Sequence, residues 1–383
     1  MTNAIAGAPA ASLDKKSLAK SSDSAFEVAS QWQLMWWKFT RHHVAVVAGI
    51  IILLLYFIAL FCEILAPADP NKNSAAYKYM PPQSIHLFAD DGWSLSPHVH
   101  GFSMKVDPRS FRRSYAEDPK KIVPIGLFVK GDKYSVWGIF DWDRHLIGPV
   151  NPRDPFFLLG SDRLGRDNLS RILYGTRISM SVGLVGVTIS LVLGLILGGV
   201  SGYYGGQVDK IIQRLVEFLR SMPTIPLWMG LAAAIPLEWP PLYVYLIITA
   251  LLSLIGWTSL AREVRGKVMA LKGEDFVVAA RLDGVKESRI ITRQILPSFA
   301  SHIIAVTTLA IPEMILAETA LSFLGIGLQP PVVSWGVLLR EAQNVNTVAT
   351  APWLLWPGLA VVIAVLSFNF LGDGLRDAAD PYA

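Results

Sequence analysis

The chain has 383 residues, 52% of them hydrophobic and 17% charged, and its mean hydropathy of +0.42 is too apolar for an ordinary soluble domain. The formal charge of +4 is spread over loops with no stripe of basic and aromatic residues, so no nucleic-acid footprint is visible. One cysteine, Cys62, leaves no internal disulfide and no cysteine metal cluster.

Residues 1 to 29 are rich in Ala, Ser and Lys and lack an apolar core, which predicts a disordered cytoplasmic tail and no cleaved signal peptide. Residues 30–66 begin with SQWQLMWWKFTRHH, where Trp32, Trp36, Trp37 and Phe39 stand beside Lys38 and Arg41. Aromatic bodies with cationic tips favour the headgroup boundary, so an interfacial elbow helix is expected before a first membrane span over Val44 to Cys62. Residues 67–170 are then polar and rich in Pro, Asp and aromatics, and predict an extracytoplasmic loop subdomain. Within it, Ile122 to Val129 and Tyr134 to Phe140 alternate as strands do. A loop of this length translocates largely regardless of its basic residues.

The run GSDRLGRDNLSRILYGTRIS covers residues 160 to 179. Asp162 and Gly165 suit a tight turn that includes Arg166, and Asp167 is placed to cap the following helix, with Arg171 and Arg177 expected on its wet side. The two carboxylates lack a histidine or third carboxylate at ligand spacing, so turn and cap chemistry is favoured over acid–base or metal chemistry.

The core, residues 171–383, holds five more apolar runs. The second span is expected over Ile178 to Val200, with Ser190, Gly194, Gly198, Gly202 and Gly206 at every fourth position forming a smooth face for close helix packing. The third, Asp209 to Ile235, carries Arg214, Glu217 and Arg220 on one face. Lone charges at mid-membrane cost about 2.5–3.5 kcal/mol each, so these belong at the cytoplasmic end or beside a wet cavity. Met222, Pro223 and Pro226 in SMPTIP break this helix, a geometry that serves a gate or a structural kink equally. Leu242 to Ala261, Ser298 to Phe323 and Trp353 to Leu371 are expected as the remaining spans, with an amphipathic segment, 334 to 344, on the outer face. Glu313 and Glu318 fall inside the fifth span. Glu313 is the better pathway-lining residue, and a water-facing or packing role is favoured for Glu318.

Between the fourth and fifth spans lies a charged island, GEDFVVAARLDGVKESRIITRQILP, residues 273–297. It reads as two short helices. Glu274 and Asp275 put negative charge on the first turn, ahead of Phe276, and Gly284 fits the left-handed position that ends the first helix. Ile290, Ile291 and Ile295 then alternate with Arg289 and Arg293 up to Leu296 and Pro297. From Arg262 to Arg293 eight basic residues oppose five acidic ones, a net charge of +3 that belongs on the cytoplasmic side.

The spacing of Ala279, Ala280, Arg281, Gly284, Leu296 and Pro297 resembles the EAA loop of ABC importer permeases, the segment that docks into a groove on the ATP-hydrolysing subunit. Val278 stands where that family has glutamate. GSDRLGRD resembles the signature of the second permease of oligopeptide and dipeptide importers, and ETALSFLGIGLQPP followed by GDGLRDAADP matches its later motifs in order. The resemblance implies an all-α integral membrane protein of six transmembrane helices, the type I ABC importer (MetI-like) permease fold, with an enlarged loop between helices 1 and 2. It implies a coupling role for 273–297, with Glu274, Asp275 and Phe276 included; the broken third span and the intramembrane carboxylates themselves make Arg220, Met222, Pro223, Pro226, Glu313 and Glu318 the candidate pathway or gate. Asp162, Gly165, Arg166 and Asp167 are the signature turn.

The partners so implied are a second homologous permease chain, two ATP-binding subunits (or one fused), a periplasmic solute-binding protein and the bilayer, with ATP and Mg held by partners and no cofactor or metal in this chain. The location implied is the bacterial inner membrane, multi-pass, with both termini cytoplasmic. Peptide is the leading solute, with oligosaccharide and nickel open. The loop from Ala68 to Leu159 is longer than in dipeptide versions and is similar to the Yej-type branch, which takes larger peptides and peptide antibiotics.

No catalytic motif is present. AREVRGKV, residues 261 to 268, lacks the first Gly and the Ser or Thr of a phosphate loop. A self-powered secondary transporter using Glu313 and Glu318 predicts inverted repeats, and the two halves share neither the Gly row nor the charged loop. An intramembrane hydrolase requires a partner for His302, and none is evident in the sequence.

Overall fold

Two kinds of apolar patterning separate in space: long helices that bury stripes against one another, and a four-stranded sheet inserted between the first two of them. The computed structural model describes residues 31–88, 95–106, 108, 113–236 and 238–379. The expected tail over residues 1 to 29 lies outside the described residues, as do Asp380 and Pro381 of the last motif.

Helix α1, Gln31–Arg41, is amphipathic and joins α2, His43–Leu60, at His42, whose Nδ1 accepts from the Ala45 amide at 3.1 Å. Helix α2 buries Ala45, Ala48, Ile52, Leu55 and Ala59 and leaves Val47, Leu53 and Leu54 open on its other side. An apolar exposed face is the pattern of a helix that meets lipid.

Strands β1 (Ile85–Phe88), β2 (Leu95–Val106), β3 (Arg113–Val136) and β4 (Phe140–Pro149) form an antiparallel meander in that order. The 24-residue β3 pairs with β2 along its first half and with β4 along its second. The piece expected as one strand, Tyr134 to Phe140, is a strand end, a turn and a strand start. Trp137 and Gly138 take φ of 53° and 71°, reversing the chain before Phe140. This turn also fixes the sheet to the membrane helices: the Trp137 indole donates to the Leu60 carbonyl at 2.8 Å and its amide to Glu63 Oε1 at 3.3 Å.

The remaining helices are α3 (Asn168–Tyr204), α4 (Gly206–Ser221), α5 (Thr224–Ala233), α6 (Pro241–Leu271), α7 (Asp275–Leu282), α8 (Ala300–Phe323), α9 (Trp335–Leu339) and α10 (Trp356–Ala379). Among the described residues, five helices (α2, α3, α6, α8 and the stretch Pro352–Ala379) are long and apolar enough to cross a membrane. The third crossing, expected as one helix over Asp209 to Ile235, is two. Pro223 disfavours helical geometry at the residue before it, and Met222 is extended at φ −88°, ψ 139°. Helix α4 is therefore amphipathic and separate, while the ten apolar residues of α5 rise about 15 Å, half of a hydrocarbon core.

Helices α3 and α6 approach backbone to backbone along the small-residue row. A methyl group at Gly198 would lie 2.5 Å from the Ala261 carbonyl oxygen, and one at Gly202 would lie 2.7 Å from that of Arg265. Gly206 does not continue the row: it and Gly205, at φ of 55° and 65°, form the turn between α3 and α4. The main core gathers Met180, Val187, Leu252, Ile315, Trp335 and Phe368 from five of the helices.

Candidate coupling and translocation sites

The charged island folds as two arms joined at Gly284, whose φ is 74°. Helix α7 runs from Asp275 to Leu282 with Glu274 as its N-cap residue; neither carboxylate makes a capping bond, but both lie at the end of the helix where negative charge is favoured. The second arm runs Glu287–Ile290, a wide turn Ile291–Ile295, and Leu296–Ser298, with Pro297 in the first turn of that last segment, a position that tolerates a missing amide. The inner face of both arms (Val277, Ala280, Ile290, Ile291, Ile295) joins a second core with Tyr203 of α3 and Val264 and Val268 of α6. The hairpin is thereby packed onto the ends of two membrane helices.

The two alanines of the EAA-like spacing part company. Ala280 is buried in this inner core, whereas Ala279 is exposed together with Glu274, Asp275, Phe276, Arg281 and Gly284. Leu282, 83% exposed, stands beside the bend. An outer face with Phe276 and Leu282 bare and charges around them is suited to a groove on another protein. Helix periodicity decides which alanine is available, and the sequence spacing treats both alike.

A cavity of about 860 Å³ lies among α3, the α4–α5 break, α6, α8 and α10. Its polar wall is made by Arg220, Glu263, His302, Glu313 and Arg376, and its apolar wall includes Trp228, Leu252 and Met314. Arg220 donates to Ser259 Oγ at 2.6 Å, so it leaves the Arg214–Glu217 pair (3.1 Å) on the outside of α4 and turns to the cavity. His302, for which sequence reading finds no partner, has its Nε2 3.4 Å from Glu263 Oε2. Met222, Pro223 and Pro226 are not in the wall. They set the break that places Thr224 and Trp228 there.

Glu318 is fully buried away from this cavity. Its carboxylate accepts from Ser334 Oγ at 2.7 Å, Ser322 Oγ at 2.8 Å and Ser179 Oγ at 3.3 Å. These hydroxyls come from three elements, and their backbone links (Trp335 N to Ser179 Oγ at 3.1 Å, Leu328 N to Ser322 Oγ at 3.0 Å) make Glu318 the centre of a closed polar knot. The serines are too far apart in sequence, at 179, 322 and 334, for any motif to reveal them.

At the signature turn, Gly165 adopts φ of 73° against the Ser74 backbone. Asp162 Oδ1 accepts from the amides of Leu164 (2.8 Å) and Arg166 (2.9 Å), while Oδ2 accepts from Arg166 Nε at 2.6 Å and from Arg171. Arg171 is 2% exposed, and Arg177 pairs with Glu63, so neither occupies the expected wet face. Asp167 caps α3, its Oδ2 accepting from the Ser170 amide at 2.7 Å. Burial pushes the Asp167 carboxyl up to about 6. Burial, then the nearby Asp162 charge, likewise raises the Glu341 carboxyl, which meets Arg166 at 3.4 Å and ties this turn to the segment after α9. Asp162, Arg166, Arg171 and Glu341 form a buried ion network that ties the turn together.

Residues 190–382 match the family described as binding-protein-dependent transport system inner membrane component, and residues 30–82 match the N-terminal TM domain of oligopeptide transport permease C. The chain belongs to this permease family. The permease is 32% identical over 354 residues to the glutathione transport system permease protein GsiD of Pectobacterium atrosepticum, covering 92% of each chain. It is 37% identical to the oligopeptide transport system permease protein OppC of Escherichia coli K12 over 76% of its own length and 95% of the relative. Its identity to the dipeptide transport system permease protein DppC of Bacillus subtilis is 39% over 58% of its own length and 68% of that chain. Among solved structures, the inward-facing MetNI methionine ABC transporter aligns with 54% of the permease and 95% of its own chain at 16% identity and a TM-score of 0.42. By its family and its apolar helices, the permease is a multi-pass membrane component of an ABC transporter.

Proposed function

We propose that the permease forms half of a peptide translocation pore in the bacterial inner membrane, with both termini in the cytoplasm. A second similar chain completes the pore, two ATPase subunits dock on the 273–297 hairpin, and a periplasmic binding protein delivers the solute to the outer side. The observation that carries the peptide reading is the mixed wall of the cavity. Its 860 Å³ lies within the roughly 300–1,000 Å³ of small-molecule sites, and its wall combines two carboxylates, Glu263 and Glu313, with Arg220 and Arg376 and with apolar Trp228 and Leu252. A peptide carries an amino terminus, a carboxylate and apolar side chains, and such a wall offers a complement to all three. The names of the dipeptide, oligopeptide and glutathione relatives support the same solute class.

Coupling follows from the hairpin's double attachment. Closure of ATP-bound subunits displaces the exposed face, and the inner core passes that displacement to α3 and α6, which wall the cavity. The deciding experiment reconstitutes the complete complex in vesicles with labelled di- and oligopeptides. Uptake is expected only with ATP and binding protein present, and excess peptide is expected to compete where oligosaccharide and Ni²⁺ do not. Uptake driven by a proton gradient without ATPase subunits overturns the proposal, and competition by sugar or nickel alone overturns its solute.

A further inference from the structure

Four of the seven histidines lie in the inserted sheet, and three of them, His86, His98 and His100, share one patch. His86 on β1 opposes His98 on β2, and His100 is two residues further along the same strand, hence on the same face. The next position on that face, Phe102, opposes Glu117 of β3. Pairing of three strands thus converges residues that stand 14 and 17 positions apart in sequence, a spacing that matches no metal motif.

The rings of His86 and His100 stack at 4.3 Å between centroids, with His98 at 5.5 Å and 5.3 Å from them. Glu117 Oε1 lies 3.2 Å from His100 Nδ1 and 3.5 Å from His86 Nε2, and the three ligand atoms all fall within 4.8 Å of one another. His86 Nε2 is shielded from solvent and has no hydrogen-bond partner among the described residues. Bonds of 2.0–2.2 Å in a tetrahedral zinc site put ligand atoms about 3.4 Å apart. Two of the three edges of this triangle are already near that length, and the third is no longer than 4.8 Å.

We propose that His86, His100 and Glu117 bind one divalent transition-metal ion of the zinc class, through Nε2, Nδ1 and a carboxylate oxygen. Two imidazoles and one carboxylate select zinc, copper or nickel over magnesium and calcium, which take oxygen ligands. Supporting contacts hold the ligands in place: the Gln83 amide donates to the His100 carbonyl at 3.0 Å, and His98 Nδ1 sits 2.7 Å from the Ser96 carbonyl, fixing the ring that packs beside both ligands. Partial exposure of His86 and Glu117 leaves a path from solvent and a fourth coordination position for water or a donor from another protein. The ion clamps the four-residue edge strand β1 to β2 and β3. The reading is independent of the solute carried.

The test uses the full-length permease in lipid nanodiscs, stripped with chelator, titrated with Zn²⁺ alone against a competing chromophoric chelator, and analysed for retained metal by mass spectrometry. One zinc per chain is expected, together with the visible absorption of a four-coordinate ion when Co²⁺ replaces it. His86→Ala, His100→Ala and Glu117→Gln are each expected to weaken zinc binding by about tenfold or more, while His43→Ala, outside the sheet, binds as the parent does. Glu117→Gln keeps the shape of an exposed side chain, so its loss of binding cannot be assigned to unfolding. No retained zinc overturns the site, and so does equal binding by the parent and all three variants, the outcome expected of an adventitious ion only.

Discussion

Both carboxylate oxygens of Asp209 accept from Arg265, each at 2.6 Å, so the start of α4 is fastened to the last turns of α6, which lead into the 273–297 hairpin. The Arg265 hydrogen bonds, aided by Ser201, push the Asp209 carboxyl down to about 2 from its ordinary 3.8. A depressed acid stabilises the fold above its unfolded value and loses that contribution as pH falls through its folded value. Thermal stability from this pair is therefore expected to be flat from pH 5 to 8 and to decline below pH 4. Asp209→Asn is expected to lower stability by about 1–2 kcal/mol at neutral pH, discounted for the solvent that reaches Arg265, and to lose the acid limb. Unfolding curves of parent and variant across that range decide it.

Asp167 gives the opposite slope. Its carboxyl is raised to about 6 by burial, so the folded chain holds that proton more tightly than the unfolded chain does. The contribution is complete below pH 4 and is lost as pH rises through 6. Asp167→Asn keeps the oxygen that accepts from Ser170 and discards the charge, so the melting temperature of the variant is expected to be level between pH 4 and 7 where that of the parent falls.

Gly284 at φ of 74° has no atom within 4 Å of the place a side chain would take, so a substitution there strains backbone without a clash. A left-handed β-branched residue costs upward of about 1–2 kcal/mol, which relaxation of the bend would relieve. Gly284→Val is expected to leave the permease in the membrane but reduce peptide taken up per ATP hydrolysed. Gly284→Asn, which tolerates that geometry, is expected to stay near the parent ratio. Parallel uptake and ATPase assays in proteoliposomes measure it.

Glu318 is held by three serine hydroxyls and is not part of the 860 Å³ cavity wall. Glu318→Ala removes the acceptor for three buried O–H groups and is expected to cost about 2–4 kcal/mol, seen as a lower melting temperature and less assembled complex. The KM of whatever complex survives is expected to be unchanged, whereas Glu313→Gln, at the cavity wall, is expected to change KM with the melting temperature preserved.

The sequence by itself determined the membrane class, five of the six spans, the amphipathic entry helix, the glycine bend at Gly284 and the Asp167 cap. Each of these rests on local physics: run length, helical period, positive φ and the unpaired amides of a helix start. Only tertiary structure decided that Ala280 turns inward while Ala279 faces out, that Arg171 and Arg177 are paired, that His302 meets Glu263, and that His86, His100 and Glu117 converge. Those facts join residues from different elements, and their energies depend on distances that chain spacing does not encode. The divided third crossing belongs to both: Pro223 and Pro226 announce a break, but whether it kinks one helix or separates two depends on what packs around it.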